Sequence, residues 1–274
     1  MIGLVIPFIF LLIRQLLNNK ISNTEDIERI TRLPVIGHII HNIKEGENVV
    51  DLFPKSIITE TFRRIRSRLE YMTGDKACPI IAISSSMPGE GKTFCALNLA
   101  SVFAISGKKT LLVGFDMRKP GLNRVLNLHN QDGLSNYLIG KAKLKDIIQE
   151  ASPGNLYVLP SGAIPPNPSE LIGSPAAEKL FKELRANFDI ILLDTPPMGV
   201  VADGYLLARY ADSIIFLTRQ GFTIKDVFAH TIKQMQDEGI TNVGILINDI
   251  QVKKGLVGYN YGYGYGYGYG YYEE

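Results

Sequence analysis

The chain has 274 residues, 46% hydrophobic and 20% charged, which is enough for one large folded domain with appendages. Its 29 basic and 27 acidic side chains leave a formal charge of +2, a balance without the electrostatic footprint of a nucleic-acid binder. The two cysteines, Cys78 and Cys95, form no CxxC pair, which argues against structural zinc or a disulfide framework and fits a reducing cytoplasm.

The chain opens on an unbroken apolar run, Ile2 to Ile13, containing Gly3 and Pro7 and followed by Arg14 and Lys20. As a helix this run covers roughly 18 Å, short of the ~30 Å hydrocarbon core. A signal peptide needs basic residues before the run and a small-residue cleavage site after it. Here the basic residues follow, which suits the end (residues 1–17) of a transmembrane helix leaving the membrane into the cytoplasm. A signal peptide and an amphipathic anchor are the competing readings. Residues 18–56 read as a juxtamembrane linker with a short Leu33-Pro34-Val35-Ile36-Gly37 patch and no long helical period. Residues 57–72 turn helical and basic, with Arg63, Arg64, Arg66 and Arg68 around Phe62, Ile65 and Leu69.

From 80 to 250 short apolar runs alternate with helical stretches. The runs are Ile80–Ser84, Thr110–Phe115, Leu156–Leu159, Ile190–Asp194, Ser213–Leu217 and Val243–Asn248; helices fill Lys92–Ser106, Ala176–Asn187 and Ile224–Glu238. Apolar strands separated by helices predict an α/β fold with a mostly parallel sheet flanked by helices on both faces, made P-loop NTPase-like by the loop that follows the first strand. That domain is expected over 57–257, followed by a disordered Tyr/Gly tail over 258–274.

The first strand runs into Ser-Ser-Met-Pro-Gly-Glu-Gly-Lys-Thr, and a helix opens at Lys92. A strand delivering a glycine-rich loop to a helix start lets backbone N–H groups surround phosphates at the positive helix end. Gly89 and Gly91 permit close approach, Lys92 neutralises β/γ-phosphate charge, and Thr93 offers its hydroxyl to Mg²⁺. The first position of GxxxxGK[ST] is Ser86 here, one departure from the strict pattern. ATP is the expected ligand of Met87, Pro88, Gly89, Glu90, Gly91, Lys92, Thr93 and Phe94.

Asp194 ends the buried run Ile190–Leu193 at the sheet edge where ligands bind in such folds, the place for a metal-holding carboxylate; Asp189, before the strand, reads as solvated. Asp116 and Arg118 emerge from the next strand end and are expected to face the same crevice. Asp116 is a candidate for metal binding or for accepting a substrate hydroxyl proton; a strand-closing Asp–Arg pair is the plainer reading. Eight tyrosines, at 259, 261, 263, 265, 267, 269, 271 and 272, alternate with glycine in the tail. Glycine disfavours a strand there, which leaves a segment that presents hydroxyls one at a time, or a low-complexity sticky tail.

Taken together, Ser86–Thr93, Val113–Arg118, Ile190–Asp194 and the tail resemble the bacterial tyrosine kinases of polysaccharide export. The resemblance implies the cytoplasmic domain of an inner-membrane polysaccharide co-polymerase that uses ATP and Mg²⁺ to autophosphorylate a tyrosine cluster, here Tyr259, Tyr261, Tyr263, Tyr265, Tyr267, Tyr269, Tyr271 and Tyr272. It assigns catalysis to Lys92, Asp116, Arg118 and Asp194, with Thr93, Asp116 and Asp194 toward the metal. Glu60, Arg63 and Arg66 resemble the family's ExxRxxR oligomerisation helix, implying a homo-oligomeric ring in which tails are phosphorylated in trans. Pro165–Leu171 resembles a recurrent family segment. A tyrosine phosphatase and the export machinery are the further implied partners.

Asn248 resembles the asparagine that related P-loop ATPases point at adenine; a turn former is the alternative. Gly114 stands where the family usually carries the first carboxylate of DxDxR, which keeps a nucleotide-gated scaffold without kinase activity as an alternative. A partitioning-type ATPase would need a signature lysine where this chain has Met87.

Overall fold

The computed structural model describes residues 19–74, 76–126 and 132–251. In chain order the elements are α1 (Thr24–Glu28), β1 (Val35–Ile40), α2 (Val49–Leu52), α3 (Ile57–Thr73), β2 (Ile80–Ser85), α4 (Lys92–Ile105), β3 (Thr110–Gly114), α5 (Gly121–Val125), α6 (Leu134–Leu138), α7 (Leu144–Ile147), β4 (Gln149–Ala151), β5 (Leu156–Leu159), α8 (Pro168–Ile172), α9 (Pro175–Asn187), β6 (Ile190–Asp194), α10 (Asp203–Ala208), β7 (Ser213–Arg219), α11 (Lys225–Asp237) and β8 (Val243–Ile250). The strands form one eight-stranded sheet, ordered β1-β8-β7-β2-β6-β3-β5-β4. Every neighbouring pair is parallel except β4–β5.

The central strands are buried on both faces, as a parallel sheet between helical layers requires. Alternation along each strand divides the core. Ile81, Ile83, Leu112 and Leu192 pack with Phe62, Ile65 and Leu69 of α3 and Leu97 and Phe103 of α4. Ile80, Leu111, Val113, Ile191 and Leu193 pack with Leu180 and Phe181 of α9 and Phe228 and Ile232 of α11. α4 is buried almost throughout, so its sequence is apolar all round. α3 buries Ile58, Phe62, Ile65 and Leu69, a helical stripe of one face.

The main departure from the sequence reading lies in residues 18–56. From residue 19 on, these are not a linker outside the domain: β1 pairs with β8 at the sheet edge, and Val49 and Val50 of α2 are fully buried in the α3–α4 cluster. A six-residue strand interrupted by Gly37 and His38 offers little periodicity, and its partner lies some 200 residues away in sequence. Gly37 is required by packing, because a Cβ there would stand 2.6 Å from Ile65 Cγ1.

Residues 19–22 also bind the segment joining β7 to α11. Ile21 N–H donates to Thr223 O (2.9 Å), Gly221 N–H to Ile21 O (2.8 Å) and Lys225 N–H to Asn19 O (2.9 Å). Gln220 Nε2 donates to Ser22 O at 2.7 Å. Among the described residues no helix is long and apolar enough to cross a membrane; the apolar run Ile2–Ile13 and the tail tyrosines lie outside them.

Candidate active site

The loop Ser86–Gly91 leaves the C-terminal end of β2 and turns into α4 at Gly91, whose φ of +95° suits glycine alone. The first backbone bond closing α4 runs from Cys95 N–H to Gly91 O (2.9 Å). The N–H groups of Lys92, Thr93 and Phe94 are thereby left without intrahelical acceptors, an anion-binding helix start. The Phe94 ring packs edge-on against Phe62 at 6.0 Å, so its side chain belongs to the core and only its backbone belongs to the loop. Lys92 is almost fully buried and its Nζ donates to Ser85 Oγ at 3.1 Å. Burial lowers its pKa, opposed by the charges of Asp194, Glu90 and Asp116.

The loop is braced from within and from the sheet edge. Glu90 is fully buried and accepts from Met87 N–H at 2.7 Å and from the Thr223 hydroxyl. Burial pushes its carboxyl up, against those two hydrogen bonds. Asn248, inside β8 rather than in a turn, donates Nδ2–H to Glu90 O at 2.9 Å. Arg219 Nη1 donates to Gly89 O at 3.0 Å and its Nε pairs with Asp249 at 2.8 Å. Pro88 and Gly89 remain exposed at the loop tip. The bracing residues Thr223 and Arg219 carry no local sequence signal, since each works across more than a hundred residues.

Asp194 sits in register between Ile83 of β2 and Gly114 of β3. Its Oδ2 accepts from Thr93 Oγ1 at 2.7 Å. Burial pushes its carboxyl up to about 6, opposed by the Thr93 hydrogen bond and Lys92 and reinforced by Asp116. Asp194 O also accepts from the N–H groups of Phe115 (2.8 Å) and Asp116 (3.0 Å), which ties the β3 exit to the same strand end. The Asp116 side chain accepts from Lys119 N–H at 2.9 Å, and burial raises its pKa.

Arg118 gives Asp116 its backbone N–H and the influence of its charge, but its guanidinium hydrogen bonds go elsewhere. Its guanidinium grips Asp203 with Nε (2.7 Å) and Nη2 (3.0 Å), and Nη2 reaches Ser169 Oγ at 3.0 Å. Ser169 in turn donates to Asp203 at 2.5 Å. Asp203 is buried at the start of α10, and its pKa is lowered because the Arg118 and Ser169 bonds outweigh burial. The Pro165–Leu171 segment thus has a physical role, since its helix α8 supplies Ser169 to this clamp. Asp203 was missed because only folding brings it to Arg118, 85 residues away.

On α3, Glu60 forms an ion pair with Arg63 of its own helix. Arg63 also donates to Pro54 O (2.8 Å) and Arg66 to Val102 O (3.2 Å). Within one chain these three are an intrahelical pair and two backbone clamps. Asp189 is exposed and caps Lys109 N–H at 2.8 Å. Among the described residues no group of three His, Cys, Asp or Glu side chains could hold a metal alone. Thr93 with Asp194, and Asp116 nearby in charge, instead fit Mg²⁺, which takes one or two carboxylates and completes its shell with phosphate and water.

Residues 78–246 match the AAA domain family model AAA_31. The chain is 37% identical over 201 residues to the tyrosine-protein kinase YwqD of Bacillus subtilis, covering 73% of this chain and 85% of that one. It is 30% identical over 252 residues to the tyrosine-protein kinase ptk of Acinetobacter johnsonii, covering 88% of this chain but 34% of that longer protein. The kinase domain of the Escherichia coli tyrosine kinase ETK superposes with a TM-score of 0.79 at 26% identity, covering 89% of this chain and all of that one. The septum site-determining protein MinD of Pyrococcus horikoshii, complexed with Mg-ADP, gives a TM-score of 0.52 at 26% identity over 62% of this chain and 70% of that one. A phosphate loop opposite a strand-end carboxylate, on a sheet shared with these kinases, places the chain in the family of bacterial P-loop tyrosine-protein kinases.

Proposed function

We propose that the chain is an ATP-dependent protein-tyrosine kinase that phosphorylates its own C-terminal cluster, Tyr259 to Tyr272, in exopolysaccharide or capsule production. The observation that carries this reading is the convergence of Lys92, Thr93 and Asp194 at one strand end, with Asp116 anchored to the same strand. In this reading the loop N–H groups and Lys92 hold the β- and γ-phosphates. Mg²⁺, when bound, supplies charge neutralisation there. The tyrosine oxygen attacks the γ-phosphorus, the bond to the bridging oxygen breaks, and ADP leaves with that electron pair. Asp116, its pKa raised by burial, accepts the phenol proton. Such transfer depends mainly on positioning and charge neutralisation, which is why one carboxylate at the β3 exit suffices.

The tail would act in trans within a ring, with Arg63 and Arg66 exchanging their present partners for Glu60 of a neighbouring subunit. Anchoring by the apolar N-terminal segment would place the domain on the cytoplasmic side of the inner membrane, beside the export machinery and a phosphatase that resets the tail. Incubating dephosphorylated protein with Mg·ATP, followed by mass spectrometry of the tail, tests the central claim. Phosphate on Tyr259–Tyr272 in the wild type and none in Lys92→Met is the expected result. Bound ATP without transfer would move the chain to a nucleotide-gated scaffold, the reading that Gly114 favours.

A further inference from the structure

A buried hydroxyl beside Asp194 has no role in the chemistry above. Leu112 and Leu192 face the α3–α4 layer, so two residues on, Gly114 and Asp194 present the same sheet face, and they are register partners. Nothing projects from Gly114. The space a side chain would take is occupied instead by Ser161, just past β5: a Cβ on Gly114 would stand 2.7 Å from Ser161 Oγ. Ser161 is 1% exposed and its Oγ has no hydrogen-bond partner among the described residues. Its backbone is fixed by Ser135 N–H donating to its carbonyl (3.0 Å) and by its own N–H donating to Asn123 Oδ1 (3.4 Å). Gly121 lies against the Thr93 side of the site, where a Cβ would stand 2.8 Å from Thr93 Oγ1. Thr93 therefore reaches Asp194 from one side, and Ser161, with Leu122 Cδ2 beside it, fills the Gly114 side of the same strand pair.

A buried hydroxyl left unpaired destabilises a fold, and its retention beside a ligand site calls for an absent partner. Mg²⁺ keeps several of its waters when bound between carboxylate and phosphate. We propose that Ser161 is a positioning residue of the nucleotide–metal site, donating a hydrogen bond from Oγ to a water that a Mg²⁺ ion held at Asp194 would carry. The inference rests on the nucleotide-binding reading above and adds to it a metal-specific contact.

Isothermal titration of ADP into full-length wild type and Ser161→Ala, with and without Mg²⁺, tests it, together with the melting temperature of each unliganded protein. The expected result is a loss of about 3- to 10-fold in the Mg²⁺-dependent gain in ADP affinity. Metal-free ADP affinity stays unchanged, and the unliganded variant melts at or above the wild-type temperature because an unpaired hydroxyl is gone. A wild-type Mg²⁺ gain in the variant overturns the inference while sparing the nucleotide site. So does a lowered melting temperature with metal-free and metal-bound affinities falling together, which marks a structural serine. A wild-type chain that fails to bind Mg·ADP overturns the proposed function and this inference with it.

Discussion

The phosphate loop and the β3 exit leave the same end of the same sheet, yet they are held in opposite ways. The loop is gripped at several points by separate elements: Glu90 from within, Asn248 from β8, Arg219 and Thr223 from the end of β7. The β3 exit carries Asp116, buries Phe115 and Met117 in the core, and ties the Arg118 guanidinium to Asp203 and Ser169. Distributed bracing preserves a nucleotide cradle when one contact is lost. The Arg118 side chain, by contrast, depends on one buried carboxylate, Asp203. On the function proposed above, the difference predicts that affinity follows the loop and turnover the β3 exit.

Four experiments bear on that division, and the largest effect belongs to the lysine at its centre. Lys92→Met should reduce tail phosphorylation by at least about 10³-fold, as loss of a buried cation facing phosphates implies; initial-rate assays of phosphate incorporation measure it. Asp203→Ala should lower kcat about 100-fold while ADP affinity stays within about threefold, because it frees Arg118 without touching the loop. Equal losses in both would break the comparison.

Asn248→Ala should weaken ADP binding about 5- to 10-fold with kcat at saturating ATP little changed, since it removes one of several braces. The smallest effect is on stability. Asp194 titrates at about 6 when folded, above its unfolded 3.8, so its protonated form stabilises the fold fully below pH 3.8 and that contribution is lost as pH rises through 6. Asp194→Asn mimics the protonated form. At pH 8 the unliganded variant should gain about 1–3 kcal/mol, seen as a melting temperature at least about 2 °C higher. Calorimetry across pH 4 to 8 should show the gain vanishing at the acid end.

What could be read in the sequence was what is written locally. The runs at 80, 110, 156, 190, 213 and 243 became strands within a few residues of their expected ends, because continuous apolar stretches between helices have few other uses. The meeting of Lys92, Thr93 and Asp194 was legible because strand–loop–helix order and strand-end position bring them to one place. β1 and β4 were not: one is broken by Gly37 and His38 and pairs with the distant β8, the other is a three-residue hairpin partner of β5 with no fully buried residue. Arg118 was read as facing one crevice with Asp116; what the sequence did not reveal is that its guanidinium closes on Asp203, a buried carboxylate that makes a strong charged pair. Glu90 was read as part of the ATP-binding loop; the fold turns its side chain inward as a brace, a choice set by Thr223, 133 residues away.

The contacts of residues 19–22 have a mechanical consequence. The backbone entering the domain is stitched to residues 220–225 before it reaches β1, and Arg219 and Thr223, at the edges of that stitched segment, hold Gly89 and Glu90. Tension applied at Asn19 would load that segment and reach the phosphate loop through two side chains. The point where the chain enters the fold is therefore a lever arm with its short end on the nucleotide cradle.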